Sequence, residues 1–206
     1  MTGVKKNFLK LTLDKSHFIT EEYSMIILLD GTFGVGKTSV ITEIKKQYMG
    51  KRKLQVLEAD YYFQQYLHEK IEEAKRKNSF PAVGGVLPQN NVKFMEKYRS
   101  VILEKSHDSI VISDMALTMS ECKERIHDYF QTENMIHIIL EADKNTIQKR
   151  IEDDTQRDKC LALDRLDEFI VFLSKNYKNA IRISTENKTV ADIAKEVLDI
   201  IDNNTY

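Results

Sequence analysis

The chain carries one glycine-rich stretch that constrains its fold more than any other feature does. Residues 31–38, GTFGVGKT, fit the pattern G-x-x-x-x-G-K-[ST] in full. A continuous apolar run at residues 25–29 precedes them, and an amphipathic pattern over residues 37–49 follows them. A buried strand, a glycine-rich loop and a helix in this order are the context that the pattern requires. We therefore expect a phosphate-binding loop (P-loop), with an ordinary glycine-rich turn as the alternative.

The residue types of this loop suit ATP. Glycines allow backbone N–H groups to point at phosphate oxygens, and the dipole of the following helix favours an anion there. We expect Lys37 to reach the β- and γ-phosphates, the hydroxyl of Thr38 to bind Mg²⁺, and Asp30 to tie the loop's backbone amides. The ATP-binding residues predicted in the loop are Gly31, Thr32, Phe33, Gly34, Val35, Gly36, Lys37 and Thr38.

Strand and helix patterns alternate along the chain from residue 25 onwards. Apolar runs predict strands at residues 25–29, 54–57, 110–112, 135–140 and 181–184, with helical patterns between them. This alternation predicts an α/β fold of three layers, in which a five-stranded, mostly parallel sheet has helices on both faces. Ligands of such folds lie at the carboxyl ends of the strands. We assign residues 25–206 to one P-loop domain and residues 1–24 to an N-terminal extension.

Carboxylates follow two of the predicted strands. Glu58 and Asp60 come directly after the second strand, and Asp114 ends the third. One carboxylate of such a set can hold Mg²⁺ while another orients or deprotonates an attacking hydroxyl. We therefore predict a metal site at Thr38, Glu58 and Asp114 and a catalytic role for Asp60. A solvated acidic turn at residues 58–60, and a turn or N-cap role for Asp114, are the alternatives.

A basic segment follows the fourth predicted strand. Arg150 precedes a polar interruption at residues 153–159, Arg157 lies within it, and Arg165 lies in the next predicted helix. Guanidinium groups stabilise the charge that spreads over a γ-phosphate during transfer, and a short helical flap excludes water. We predict a lid over about residues 150–165, with Arg150 and Arg157 in catalysis and Arg150 and Arg165 in ATP binding. Salt bridges on a solvated helix are the alternative for each arginine.

Composition limits the partners that we expect. The chain has 31 basic and 32 acidic residues among 206, so its charge gives no reason to expect nucleic acid or an anionic membrane as partner. No apolar run approaches the roughly 20 residues of a membrane span, and Lys10, Asp14 and Lys15 interrupt any signal-peptide core. The two cysteines lie far apart and suggest neither a disulfide framework nor a zinc site. We expect a cytoplasmic monomer or homodimer.

Residues 25–201 resemble the tunicamycin-resistance proteins, a small family of P-loop kinases. The resemblance lies in MIILLDGTFGVGKTSV, HIILEADKNTIQKRIEDDTQRDK and ISTENKTVADIAKEVL. It implies an ATP- and Mg²⁺-dependent kinase domain, with Glu58 at an acidic position of the family and Arg150 and Arg165 at basic positions. More distantly, the order of elements is similar to shikimate kinase and chloramphenicol phosphotransferase, in which Glu58 and Asp60 would match an acidic pair that serves Mg²⁺ and the acceptor hydroxyl.

The chain departs from this family in three places. Residues 1–24 are additional, Ala59 stands where the family has a proline, and Asp114 stands where we expect no carboxylate. Residues 59–118 should line the acceptor pocket, so the departures concern the acceptor and not the ATP half of the site.

These features favour a phosphotransferase that moves the γ-phosphate of ATP to a small hydroxylated molecule, such as an antibiotic, a nucleoside or a metabolite. Four aromatic residues at 61–63 and 66 would either stack on a sugar or base or belong to the core. One alternative is a nucleoside monophosphate kinase, with Arg99 and Arg125 holding the acceptor phosphate. Others are an ATP-binding switch with slow ATPase activity and a protein partner, and a kinase that acts on a larger acceptor.

Overall fold

The computed structural model describes residues 24–82, 87–131, 134–155 and 159–204. The N-terminal extension and Arg157 lie outside this part of the chain. The five predicted strands are confirmed, each within two residues of its predicted bounds. They are β1 (Met25–Asp30), β2 (Lys53–Glu58), β3 (Ser109–Asp114), β4 (Met135–Glu141) and β5 (Ile181–Ser184).

Helices connect these strands. They are α1 (Lys37–Gln47), α2 (Ala59–Arg76), α3 (Val92–Ser106), α4 (Ser120–Cys122), α5 (Asp128–Phe130), α6 (Lys144–Asp153), α7 (Lys159–Asp164), α8 (Leu166–Asn176) and α9 (Val190–Asn203). A 3₁₀ turn, Pro88–Asn90, precedes α3, and a π-helical turn, Lys123–His127, joins α4 to α5. Residues 144–176 contain three helical segments, because the backbone leaves helical geometry at Asp154, after α6, and again at Arg165, between α7 and α8.

The strands form one sheet in the order β2-β3-β1-β4-β5, and all four neighbouring pairs are parallel. The predicted three-layer α/β fold is therefore confirmed. β1 can lie at the centre, where helices cover both faces of the sheet. Five of its six residues are apolar, and the sixth, Asp30, is buried. After β1 the chain passes to β2 at one edge of the sheet and returns through β3 beside β1, and it then crosses to β4 and β5 on the other side of β1. The loop after β1 consequently lies at the point where the strand order reverses, which is where such sheets bind ligands.

Two apolar layers cover the sheet. On one face, Ile27 and Leu29 of β1 pack with α1 and α9. On the other, Ile26 and Leu28 pack with α2, α3, α8 and the π-helical turn. This alternation follows from the two-residue period of a strand. A smaller cluster joins α6, α7 and α8, and the loop residue Phe33 packs against it.

The parallel register brings the ends of β1, β2 and β3 to the same edge of the sheet. Glu58 pairs with Asp114 across β2 and β3, and Leu29 pairs with Asp114 across β1 and β3. Three acidic residues, Asp30, Glu58 and Asp114, therefore end neighbouring strands next to the glycine-rich loop. In the described residues, no helix combines the length and the apolar character needed to cross a membrane.

Candidate active site

The backbone of the glycine-rich loop adopts conformations that other residues rarely reach. Gly36 has φ 103° and forms the N-cap of α1, and a Cβ atom added there would meet no atom within 4 Å. Gly31 has φ 146°, and its added Cβ would lie 2.7 Å from the carbonyl oxygen of Leu140. Close packing therefore selects glycine at the start of the loop. At its end, Gly36 faces open space beside the free N–H groups of a helix N-terminus, which favours an anion.

The amine of Lys37 lies across this loop. Its Nζ donates hydrogen bonds to the carbonyl oxygens of Gly31 at 2.8 Å and Thr32 at 3.0 Å. These bonds hold the side chain over the loop instead of letting it extend into water. Phosphate oxygens placed in the open space would offer the amine charge-assisted partners, which are stronger than neutral carbonyls.

A cleft of about 340 Å³ opens beside the loop. Nine of the predicted site residues line it, namely Thr32, Phe33, Gly34, Gly36, Lys37, Thr38, Asp60, Asp114 and Arg150. Gly31 and Val35, which also belong to the loop, are buried. Glu58 lines an adjoining cleft of about 470 Å³, which shares Thr38 and Asp60 with the first. Residues that are far apart in sequence thus meet at one edge of the sheet.

Asp114 and Asp60 line the same cleft as the loop. Burial, together with the nearby carboxylates of Asp60 and Glu58, raises the pKa of Asp114 to about 6 against the opposing effect of Lys37. Glu58 is half-exposed and pairs with Lys45 at 3.0 Å. The ends of β2 and β3 therefore carry a concentration of negative charge that a cation would relieve.

Asp30 ties the loop to a neighbouring segment, as the sequence predicted. Its Oδ1 accepts the N–H of Gly31 at 2.6 Å and the N–H of Leu117 at 2.9 Å. Its Oδ2 lies 3.2 Å from Nε2 of His137, and the carboxylate is fully buried. The contact with Asp30 was missed because His137 lies on β4, and only the sheet brings the two together.

The two described arginines of the predicted lid have different surroundings. Arg150 lines the cleft and donates to the Thr185 hydroxyl at 2.9 Å and to the Thr185 carbonyl at 3.2 Å. Arg165 is not among the described residues that line the cleft. It pairs with Glu168, the shorter contact being 2.5 Å, and its guanidinium stacks 4.8 Å from the ring centre of Phe169.

Gln89 and Met115 also line the cleft, and sequence reasoning did not identify them. Gln89 lies in the 3₁₀ turn before α3, at the end of a stretch that the sequence indicated only as a loop. A glutamine in a loop with Pro88 resembles any solvated polar residue, so no local signal distinguished it. It is nevertheless 3% exposed.

The aromatic residues at the start of α2 divide between core and surface. Phe63 and Tyr66 are buried against α3, and Tyr62 is half-buried against Tyr98. Tyr61 is 57% exposed and lines the adjoining cleft. Of the two interpretations of this cluster, the core therefore describes Phe63 and Tyr66, and only Tyr61 keeps a free face.

The donor set fits a magnesium ion that retains water and phosphate ligands. Within the described residues, no three His, Cys, Asp or Glu side chains converge on a common point. Thr38 and Asp114 do line the same cleft as the loop. Mg²⁺ commonly uses one or two carboxylates together with substrate phosphates and waters, so a complete protein cage is not required.

The fold resembles those of solved P-loop kinases. The tunicamycin resistance protein of Deinococcus radiodurans matches with a TM-score of 0.60 and 21% identity, over 86% of this chain and 95% of that chain. Shikimate kinase from Acinetobacter baumannii, in complex with shikimate, matches with a TM-score of 0.53 and 19% identity, over 89% and 96%. The APS kinase of Mycobacterium tuberculosis, in complex with AMPPNP and APS, matches with a TM-score of 0.55 and 12% identity, over 87% and 98%.

No protein-family model matches the chain, and no curated protein matches its sequence. The resemblance to P-loop kinases that the sequence predicted is thus confirmed by the structural neighbours. At these identities it is a statement about the fold. The chemistry of this chain has to be argued from its own cleft.

Proposed function

We propose that this protein is an ATP- and Mg²⁺-dependent kinase that phosphorylates a hydroxyl group of a small molecule. The observation that carries the proposal is the composition of one cleft. Lys37, Thr38 and the open N-terminus of α1 line it together with Asp60 and Asp114. Phosphate-binding groups and carboxylates that line one cleft of about 340 Å³ suit phosphoryl transfer from ATP to a hydroxyl.

The reaction would divide between residues of this chain as follows. Asp60 orients the acceptor hydroxyl and takes its proton. The hydroxyl oxygen forms a bond to the γ-phosphorus, the bond from that phosphorus to the β–γ bridging oxygen breaks, and ADP leaves. Lys37 and Arg150 bind the phosphate oxygens on which negative charge develops. Thr38, Asp114 and Glu58 would hold Mg²⁺, which neutralises phosphate charge when it is bound.

We also propose that residues 25–206 form one kinase domain whose segment at about 150–165 is a lid. Supporting this, Arg150 lines the cleft, and α6, α7 and α8 share a small apolar cluster with Phe33 of the loop. Arg157 and Arg165 would join Arg150 only in a closed, ATP-bound form. A lid of this kind excludes water from the transferring phosphate.

The proposal is tested by ADP release from Mg-ATP with a panel of nucleosides, sugars, sugar alcohols and hydroxylated antibiotics. At least one acceptor should raise the rate above that without acceptor. Lys37→Ala should lower turnover about 10³-fold, since it removes a charge that contacts the transferring group. Lys46→Ala, which removes an exposed lysine of α1 paired with Glu43, should leave it unchanged.

Two outcomes would argue for other functions. Tight ATP binding without stimulation by any acceptor would favour the nucleotide switch. Stimulation by monophosphates alone would favour a nucleoside monophosphate kinase, although no observation supports that reaction here. Arg99 lies 4.1 Å from the ring centre of Tyr129 and Arg125 pairs with Glu96 at 3.1 Å, and neither lines the cleft.

A further inference from the structure

β4 carries a buried polar side chain between two neighbouring strands. The strand has the sequence MIHIILE, and β1 and β5 pair with it on either side. His137, its third residue, is 7% exposed. Burying an imidazole costs free energy unless its nitrogen atoms find hydrogen-bond partners, so packing alone would favour an apolar residue here. A histidine at this position therefore needs a role other than packing.

Asp30 is the partner of one nitrogen of this imidazole. Nε2 of His137 lies 3.2 Å from Oδ2 of Asp30. A carboxylate can only accept, so Nε2 carries the hydrogen and donates it. Nδ1 is also buried, but within the part of the chain that the structure describes it has no hydrogen-bond partner. The imidazole thus acts on its surroundings through Nε2.

The bond from His137 fixes the orientation of the Asp30 carboxylate. The other oxygen, Oδ1, accepts the N–H of Gly31 at 2.6 Å and the N–H of Leu117 at 2.9 Å. With Oδ2 held as well, the carboxylate cannot rotate about its Cβ–Cγ bond without losing at least one of these bonds. Gly31 is the first residue of the glycine-rich loop, and Ala116, next to Leu117, lines the cleft. One carboxylate therefore connects His137 to both segments.

His127, in the π-helical turn, has similar surroundings and a different carboxylate partner. It is as deeply buried as His137, and the two ring centres lie 5.0 Å apart. The ring centre of Tyr177 lies 4.7 Å from each of them. Nδ1 of His127 lies 2.9 Å from Oδ1 of Asp128, its neighbour in the chain. The two histidines thus share burial and ring packing, and they differ in the carboxylate that they contact.

We propose that His137 is a positioning residue for nucleotide binding, which holds the glycine-rich loop in its binding conformation through Asp30. This role rests on the proposed kinase activity and adds to it a residue that is not among the described residues of the cleft. The contacts run from Nε2 of His137 to the carboxylate of Asp30 and on to the N–H of Gly31. A loop that is already oriented loses less conformational entropy when it binds phosphate. Loss of the first contact should therefore weaken ATP binding.

The first test compares the two histidines. His137→Leu should raise the dissociation constant of Mg-ATP about tenfold, because the buried carboxylate of Asp30 loses the bond that orients it. His127→Leu removes the neighbouring imidazole and should leave that constant within about twofold of the wild type, whatever its effect on the melting temperature. Calorimetry, on variants whose circular dichroism shows them folded at the assay temperature, gives both values. An unchanged constant in His137→Leu, or an equal rise in both variants, would overturn the role of His137.

The second test asks which ring nitrogen matters. A glutamine at position 137 can present an N–H at about the distance of Nε2 from the backbone, whereas an asparagine reaches only as far as Nδ1. His137→Gln should therefore restore most of the ATP affinity that His137→Leu loses, and His137→Asn should not. Nitrogen-15 NMR of the wild type should show a hydrogen on Nε2 of His137. Equal rescue by both amides, or a hydrogen on Nδ1 alone, would overturn the proposed contact.

A double-mutant cycle tests whether His137 acts through Asp30. If it does, the variant that combines Asp30→Ala with His137→Leu should bind Mg-ATP as weakly as Asp30→Ala alone. A merely structural histidine would add its own loss, so that the two increases in the dissociation constant multiply. Multiplied increases would overturn the proposal.

Amide hydrogen exchange reports on the same contact in the ligand-free protein. Relative to the N–H of Ile27 in β1, exchange at Gly31 and Leu117 should become about tenfold faster in His137→Leu. It should stay as in the wild type in His127→Leu. Unchanged exchange at both amides of His137→Leu would overturn the link between the histidine and the loop.

Failure of the kinase proposal is recognised separately. If wild type and Lys37→Ala bind Mg-ATP equally weakly, the nucleotide site is wrong. Faster exchange confined to His137→Leu would then still support the positioning of the loop by His137, and its function in nucleotide binding would be overturned.

Discussion

Asp30 is a single buried carboxylate that holds the glycine-rich loop in place. It is fully buried at the end of the central strand, and one of its oxygens accepts N–H groups from Gly31 and from Leu117. Thr32 and Ala116, the chain neighbours of those two residues, both line the cleft. Tyr177 adds a second tie, since its hydroxyl donates to the carbonyl of Leu117 at 2.9 Å. The position of the loop relative to the segment after β3 therefore depends on Asp30, which does not itself line the cleft.

We expect Asp30→Ala to lower the free energy of unfolding by about 2 to 4 kcal/mol, because it leaves two buried N–H groups without an acceptor. Urea unfolding measures the change. The control is Asp199→Ala, which removes a carboxylate paired with Lys195 on the exposed side of α9 and should cost less than about 0.5 kcal/mol. Equal effects of the two substitutions would contradict the role assigned to Asp30.

Asp114 should have the opposite effect on the free energy of unfolding. We expect its carboxylate to lower stability and to be retained for function. Its folded-state pKa of about 6 lies above the 3.8 of an ordinary aspartate. The native state therefore binds the proton more tightly than the unfolded chain does. Ionisation lowers stability as the pH rises from about 4 to 6, and the full cost is present at higher pH.

Asp114→Asn should accordingly raise the free energy of unfolding by about 1 to 3 kcal/mol near pH 8 and change it little near pH 4. Urea unfolding of the ligand-free protein in EDTA at both pH values measures this difference. A gain of equal size at the two pH values would show that ionisation is not the cause. The same variant should lose kinase activity, as expected where a site trades stability for chemistry.

At the scale of elements, the glycine-rich loop and the predicted lid are packed together. Phe33 contacts the apolar cluster of α6, α7 and α8, and its ring centre lies 5.6 Å from that of Phe169. Gly34 lies so close to α6 that an added Cβ would approach Cγ1 of Ile151 to 2.7 Å. The glycine-rich loop and the segment that carries Arg150 thus share one contact surface. Movement of the lid should therefore change the conformation of the glycine-rich loop.

Phe33→Ala tests this coupling. It should weaken Mg-ATP binding about three- to tenfold and lower the free energy of unfolding by about 1 to 3 kcal/mol, because a half-buried ring leaves the cluster. Calorimetry and urea unfolding give the two values. Phe80→Ala is the matched control, since Phe80 is 99% exposed at the far end of α2. A loss of stability with unchanged ATP affinity would mean that the lid packs independently of the loop.

The elements also show how far the sequence could be interpreted. The strands were predictable because each is a short apolar run. Since the ends of parallel strands in such a fold lie together, the sequence could also place Asp60 and Asp114 near Lys37. The position of Arg165 relative to the cleft could not be predicted. The local sequence pattern does not indicate that α7 ends beside this residue or that its guanidinium pairs with Glu168. Gln89 was missed for a related reason. Gln89 is buried because α3 and α4 pack against the 3₁₀ turn. The spacing of apolar residues in the local sequence does not predict these contacts.

At the scale of the whole molecule, the central position of β1 couples ligand binding to global stability. The loop that it carries contacts one of the two apolar layers through Val35 and the smaller cluster of α6, α7 and α8 through Phe33. A ligand held there should stabilise the native state by mass action, since the unfolded chain has no cradle for it. At a concentration about 100 times its dissociation constant, that stabilisation is about 2.7 kcal/mol.

For a chain of this length, we expect saturating Mg-ATP to raise the melting temperature by about 5 to 10 °C. The shift should need Mg²⁺ and be absent in Lys37→Ala, which lacks the amine that bridges the loop carbonyls and would bind the phosphates. Lys46→Ala should keep the full shift. Thermal unfolding followed by circular dichroism, with ATP, ADP and no nucleotide, provides the measurement. An equal shift in Lys37→Ala would mean that the nucleotide binds elsewhere. The loop after β1 could then not be the site through which ATP stabilises the sheet.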